Sequence, residues 1–271
     1  MKRVLTAAVA VPVLIYVLWY LPPYVFNGLV AVSVVLGIRE FQRMADQVGH
    51  HGPHWIGWLG GVVVLVGFWM AEPAYTVLAL ATVMAVAMIA HMAYRHSVET
   101  ALVSTSATIA SLVYIGVFMG YLVSLRVVQD QRIPLLSAKL LSFFFLVNWA
   151  ADSVAMIVGR TIGRRPLLPV ISPKKTIEGG LGGLLGSIAG AAVGHFWFFP
   201  EMRLAHAVAL GAIMGAVGQL GDWCESMLKR GSGIKDAASI LPGHGGILDR
   251  LDSLLFNAPI LYYYYRLFLA S

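Results

Sequence analysis

From Ser226 to Asp252 the chain reads SMLKRGSGIKDAASILPGHGGILDRLD, an alternation of acids, bases and glycines in an otherwise apolar protein. Asp222, Glu225 and Lys229 lie at i, i+3 and i+7, one face of a helix, and Asp249 and Asp252 at i and i+3 share a face of another. Two carboxylates arriving from different helices can share a hard divalent cation. Mg²⁺ in particular takes a few carboxylates and fills its remaining positions with water and substrate phosphates. Between the two acid pairs, Gly243-His244-Gly245-Gly246 offers unhindered backbone N–H groups for a phosphate nest. Lys229, Arg230, Lys235 and Arg250 can neutralise a triphosphate. Carboxylates for metal, cations for phosphate and glycines for close approach are the parts of phosphoryl or nucleotidyl transfer. The plainer alternative is a solvated loop of mixed charge. His244 is open to three roles: general base, phosphate donor or turn residue. Phosphate contact is favoured, because an anionic phosphate nucleophile needs no base.

Two further groups of residues could join this chemistry. Asn148-Trp149-Ala150-Ala151-Asp152 puts an acid inside an apolar run, where ionisable residues usually mark a functional pathway. A structural partnership of Asp152 with Arg160 or Lys174 is the alternative. Downstream, Ser172-Pro173-Lys174-Lys175-Thr176 precedes Glu178-Gly179-Gly180. Pro173 suits a turn, and Thr176 can cap the helix that follows. Lysines beside a helix N-terminus favour an anion such as phosphate. A positive anchor on the cytoplasmic side would explain the lysines but not the Ser, Thr and Gly around them. The His50-His51-Gly52-Pro53-His54 group has Asp46 as its one nearby acid and reads as a solvated or interfacial turn, not a metal site.

The elements that must position these residues are membrane helices. Of 271 residues 59% are hydrophobic and 12% charged, about half the charge of an average soluble domain. The fold class expected is all-α, a polytopic integral membrane protein of about nine spans: 4–21, 24–38, 55–71, 74–92, 101–125, 138–158, 178–199, 204–223 and 253–269. The run after Lys2 and Arg3 reaches about Tyr20 and reads as an uncleaved first span, not a signal peptide. With the N-terminus cytoplasmic, the 19 Lys and Arg residues divide strongly in favour of the inner side. This asymmetry orients the C-terminus outward and both long polar loops, 159–177 and 224–252, inward. The net charge of +6 is accounted for by those loops, and nucleic acid is not an expected partner. Cys224, the single cysteine, excludes an intrachain disulfide and any multi-cysteine metal site. Residues 1–130 read as scaffold helices and 131–271 as the catalytic region. Gly182, Gly186, Gly190 and Gly194 recur every four residues, as do Gly211 and Gly215, so the seventh and eighth spans are expected to pack closely on each other.

Taken together, Ser226, Lys229-Arg230, Lys235-Asp236, Pro242-Gly243-His244-Gly245-Gly246 and Asp249-Arg250-Leu251-Asp252 resemble the signature of the phosphatidate cytidylyltransferases, or CDP-diacylglycerol synthases. Ser172–Thr176, Glu178-Gly179 and Gly221-Asp222 resemble further family segments. The likeness is motif-rich over 148–252, and the first five spans agree only in hydropathy. The resemblance implies conversion of CTP and phosphatidic acid to CDP-diacylglycerol and pyrophosphate, with Mg²⁺, at the cytoplasmic face of a bacterial-type inner membrane. It implies Asp222 and Asp249 as metal ligands, with Asp152 a lesser candidate. Lys229, Arg230, Lys235 and Arg250 would then hold the triphosphate and the leaving pyrophosphate. Ser172, Lys174, Lys175 and Thr176 would engage phosphate of the lipid or of CTP, with Gly245 and Gly246 in the phosphate turn, while Asp236, His244 and Asp252 orient these groups. A second, monovalent ion such as K⁺ and a homodimer are left open; the remaining partners are membrane lipids. One departure is Met156, where the family often carries Tyr, which leaves the role of the Asp152 segment less defined.

Overall fold

A computed structural model describes residues 2–93, 98–234 and 246–270, with side chains from Val9 onward. The chain forms two compact units, one of residues 1–127 and 228–251, the other of 128–227 and 252–271. Helices α1 (Lys2–Tyr20), α2 (Pro23–Asp46), α3 (His54–Trp69) and α4 (Pro73–Ala93) open the first unit. A 3₁₀ turn at Val98–Thr100 leads into α5 (Ala101–Ser111), a π turn at Leu112–Val117 and α6 (Phe118–Val127). In the second unit α7 (Leu136–Thr161) is followed by strands β1 (Pro166–Leu168) and β2 (Ser172–Thr176), then by α8 (Ile177–Trp197). The last two long helices are α9 (Leu204–Gly231) and α10 (Leu248–Tyr264), the latter running into a second π turn at Tyr265–Leu269.

Among the described residues six helical segments are long and apolar enough to cross a bilayer: 23–46, 73–93, 98–127, 136–161, 177–197 and 204–231. Two shorter apolar helices cover Val9–Tyr20 and His54–Trp69. The molecule is thus a helical, polytopic membrane protein. α10 carries Asp249, Arg250, Asp252 and Asn257 in its first turns, which is why its apolar part is short.

Small residues set the packing of the first unit. A Cβ on Gly61 of α3 would stand 2.6 Å from Ile38 of α2, and one on Gly60 would stand 2.8 Å from Val83 of α4. The bare backbone of α3 therefore lets a helix approach on either side. At the far end of α6, buried Arg126 donates to the carbonyls of Val17 (3.3 Å) and Leu21 (2.7 Å). Those acceptors lie in the last turn of α1 and just beyond it, where carbonyls lack intrahelical donors and a cation is favoured.

In the second unit the glycine ridge of α8 packs on a different neighbour from the one its spacing suggests. A Cβ on Gly182 would meet Val158, one on Gly186 the Ala150 carbonyl and Val154, and one on Gly190 Ala150, all on α7. The partner of the ridge is thus the sixth expected span. Gly211 of α9 does face α8, against Ala191 and the Ser187 carbonyl, so α8 carries a small-residue face on each side.

The polar loop 159–177 also differs from expectation. It forms a two-stranded antiparallel hairpin with an irregular register, pairing Pro166 with Thr176 and Leu168 with Ser172. Pro173, expected in a turn, lies within β2. In a two-stranded ribbon each strand is an edge, so a residue without an N–H can be accommodated there. The strand runs directly into α8, and Thr176 caps that helix by accepting the Gly179 N–H at 3.1 Å.

Candidate active site

The hairpin is tied down at its base. Glu178, in the first turn of α8, accepts the backbone N–H groups of Arg164 (3.0 Å) and Arg165 (3.3 Å). Gln219 of α9 donates to the Gly180 carbonyl of α8 at 3.1 Å. Held in this way, β2 presents Lys174 to solvent and directs Lys175 to Asp222 of α9, Nζ to Oδ2 2.5 Å. The hairpin lysine thus meets one of the two acids expected to hold metal. Thr176 serves the helix cap, and Ser172 is half-buried at the start of the strand.

Three further acids of the second unit belong to the same neighbourhood as Asp222. Asp252 of α10 lies within electrostatic reach of Asp222, Glu225 and Asp152. Gly221 makes the close approach of α9 to α10 feasible, since a Cβ there would stand 2.5 Å from the Asp252 carbonyl oxygen. Deeper in the unit, Asn257 of α10 donates to Asn148 of α7 at 2.7 Å, and Asn148 donates to the Phe144 carbonyl at 2.8 Å. These buried amides fix α7 and α10 in one register. Glu225 is fully buried and Asp152 exposed. Hard carboxylate oxygens of this kind suit Mg²⁺. No three of them are drawn to within 4.8 Å of one another as in a preformed cage. The donor set therefore fits a cation that keeps water and substrate phosphates among its ligands.

In the first unit, Asp249 pairs with Lys229 and also accepts the Gly246 N–H at 2.9 Å. The second contact is the returning half of a capping box, an acid three residues on satisfying an early N–H of its own helix. The next two N–H groups, those of Ile247 and Leu248, are taken by the two carboxylate oxygens of Glu40 at 2.9 and 2.8 Å. Glu40 is fully buried on α2. Two carboxylates thus close the N-terminus of α10, where the helix dipole favours negative charge. Lys229 itself sits at a well-formed helix end. Gly233, at φ +74°, follows α9, with Ile234 N–H bonded to the Lys229 carbonyl and Gly233 N–H to that of Arg230. This is the Schellman arrangement, for which glycine is the favoured residue. Arg230 and Arg250 are exposed.

Lys235, Asp236, His244 and Gly245 lie outside the described residues; Gly246 is the first residue described after them. Glu40 was not among the residues expected to matter. Its signal was present, an acid on the same helical face as Gly37 and Met44 at i−3 and i+4, both buried, but its partners lie more than two hundred positions away. The histidine turn, read as solvated or interfacial, is open to water only in part: His51 is exposed and His54 half-buried. His50 is fully buried, and Asp46 Oδ1 meets His50 Nδ1 at 2.8 Å and His54 Nε2 at 3.0 Å.

Fold and site together define a polytopic helical membrane protein with paired lysines and carboxylates. The chain belongs to the cytidylyltransferase family, whose sequence model matches residues 1–268. It is similar to a phosphatidate cytidylyltransferase of Synechocystis sp., 47% identical over 126 residues, covering 46% of this chain and 42% of that protein. A Bacillus subtilis protein of the same name is 37% identical over 156 residues, 58% of this chain and 56% of its own. One from Haemophilus influenzae is 38% identical over 152 residues, 55% and 53%. The chain spans about half the length of the curated relatives it matches.

Proposed function

We propose that this protein transfers the cytidylyl group of CTP to phosphatidic acid, giving CDP-diacylglycerol and pyrophosphate. The observation that carries the reading is the Ser226–Asp252 signature, standing in a chain of the cytidylyltransferase family whose similar bacterial proteins bear the name phosphatidate cytidylyltransferase. The pairing of Lys175 with Asp222 and of Lys229 with Asp249 supports it, because each sets a cation able to take phosphate beside an acid able to take metal.

In the reaction a phosphatidate oxygen forms a bond to the α-phosphorus of CTP, and the bond from that phosphorus to the bridging oxygen of the β-phosphate breaks. The bond electrons leave with pyrophosphate. The nucleophile is already anionic, so no residue need remove a proton. Lys229, Arg230, Lys235 and Arg250 neutralise the triphosphate and then the departing pyrophosphate. Lys174 and Lys175, on the hairpin, engage substrate phosphate. On substrate binding, Lys175 and Lys229 turn from their carboxylates to phosphate oxygens, which exposes Asp222 and Asp249 as hard ligands. Asp152 is a lesser ligand. Asp236, His244 and Asp252 orient these groups, and Gly245 and Gly246 leave room for phosphate. Mg²⁺, when bound, supplies charge neutralisation and polarises the phosphoryl oxygens.

Nine spans with the N-terminus cytoplasmic complete the proposal, α1, α3 and α10 joining the six longer helical segments. The excess of Lys and Arg in loops 159–177 and 224–252 supports a site facing the cytoplasm. The deciding experiment incubates purified protein in detergent with phosphatidic acid, Mg²⁺ and CTP labelled at the α-phosphate. Label is expected in the lipid phase, with release of pyrophosphate. Release of CDP would point to a kinase, and no labelled lipid from folded protein would end the proposal.

A further inference from the structure

Asp46, His50 and His54 form a cluster outside the signature, at the turn between α2 and α3. Among the described residues they make up the one group of three potential ligand atoms lying within 4.8 Å of one another. Asp46 Oδ1 receives both rings, Nδ1 of His50 at 2.8 Å and Nε2 of His54 at 3.0 Å. The two imidazoles stack nearly parallel, their centroids 5.2 Å apart and their planes 19° from coplanar. Gly52 makes room for this, since a Cβ there would stand 3.2 Å from His50 Nε2. The turn is anchored on its other side by Ser104, whose hydroxyl accepts the His51 N–H at 3.0 Å.

We infer that Asp46, His50 and His54 bind a borderline divalent transition metal, of which Zn²⁺ is the best match, at a site separate from the Mg²⁺ chemistry proposed above. Two imidazoles and one carboxylate are ligands for Zn²⁺ and its neighbours in the first transition row, whereas Mg²⁺ prefers oxygen alone. At bond lengths of about 2.0–2.1 Å a tetrahedral ion separates its ligand atoms by about 3.3 Å. The observed 2.8 and 3.0 Å need open by only a few tenths of an ångström. The side chains of Asp46 and His54 are 31% and 32% exposed, so the ion has a path from water, and a water molecule completes its fourth position. His50 is fully buried, so its ring is held in place by the packing around it. The bound ion clamps the C-terminal end of α2 to the start of α3. Because α2 also carries Glu40, the clamp fixes the helix whose acid caps α10.

The test uses the full chain in detergent, stripped with chelator, then given Zn²⁺ or Co²⁺ alone and desalted. Retention of about one metal per chain is expected, with the visible absorption of four-coordinate Co²⁺ and a rise in thermal midpoint. His54→Ala and Asp46→Asn should each weaken retention by about tenfold or more and abolish the metal-dependent rise. Asp249→Asn should leave both intact, which separates this site from the signature. His54 is half-exposed, so His54→Ala tests the site without opening the core, and its metal-free melting curve reports whether it folds. No retention by wild type, or equal retention by wild type and folded His54→Ala, would overturn the inference and leave Asp46 as a hydrogen-bond clamp between two histidines.

Discussion

The two lysine–carboxylate pairs look alike in chemistry and differ in setting. Lys175 and Asp222 are 27% and 37% exposed; Lys229 and Asp249 are 13% and 19% exposed. Asp222 is the more exposed of the two acids, although the Lys175 Nζ that meets it is itself buried. Asp249 is different. Besides Lys229 it holds the Gly246 N–H, and its helix start is completed by buried Glu40. Asp249 therefore serves the architecture of α10 in addition to the chemistry proposed for it, and no such helix cap accompanies the chemistry proposed for Asp222.

The largest expected effect tests that division at its centre. Asp222→Ala and Asp249→Ala should both reduce formation of lipid-linked cytidylate by about 10³-fold or more. Only Asp249→Ala should also lower the thermal midpoint in detergent, whereas Asp249→Asn, which retains an acceptor for Gly246, should lose turnover and keep its fold. Equal stability of the two alanine variants would erase the distinction. Next in size is Glu40→Ala, which leaves the Ile247 and Leu248 N–H groups without their acceptor. A loss of about 2–3 kcal/mol in denaturant or thermal unfolding is expected, with Glu40→Gln recovering part of it. Lys174→Ala combined with Lys175→Ala should raise the apparent KM for a phosphate-bearing substrate by about tenfold, and Lys174→Ala alone should leave melting nearly unchanged, as befits an exposed charge. Unchanged affinity for both substrates would reduce the hairpin to a topology anchor. The smallest effect belongs to Thr176→Val, which removes the α8 cap at a cost of about 1 kcal/mol.

Much of this arrangement was legible in the sequence because it is local. Asp222, Glu225 and Lys229 share a helical face by spacing alone, and the capping role of Thr176 follows from its place before a glycine-rich helix. Hydropathy carries the membrane class for the same reason, since a span is a local property. What escaped depends on pairing between distant segments. The spacing of the α8 glycines shows that a helix approaches closely but not which one, and α7 supplies Val154 and Val158 where α9 was expected. The hairpin at β1 and β2 is too short for a periodic signal and contains a proline that reads as a turn. The burial of His50 and the part played by Glu40 escaped because burial of a polar side chain is set by what packs against it.

Glu40 has a further consequence for how the protein is made. Its acceptors and their donors are 207 and 208 positions apart, so a ribosome delivers α2 long before the residues that α2 must receive. Until then the acid has no α10 to cap, and the first unit is missing residues 228–251. Completion of that unit is a late, long-range closure and not a step that can finish as its first helices insert. A nascent chain halted before Ile247 should therefore hold its first helices in a looser, more protease-sensitive state than the finished protein, and extension past Leu248 should tighten them.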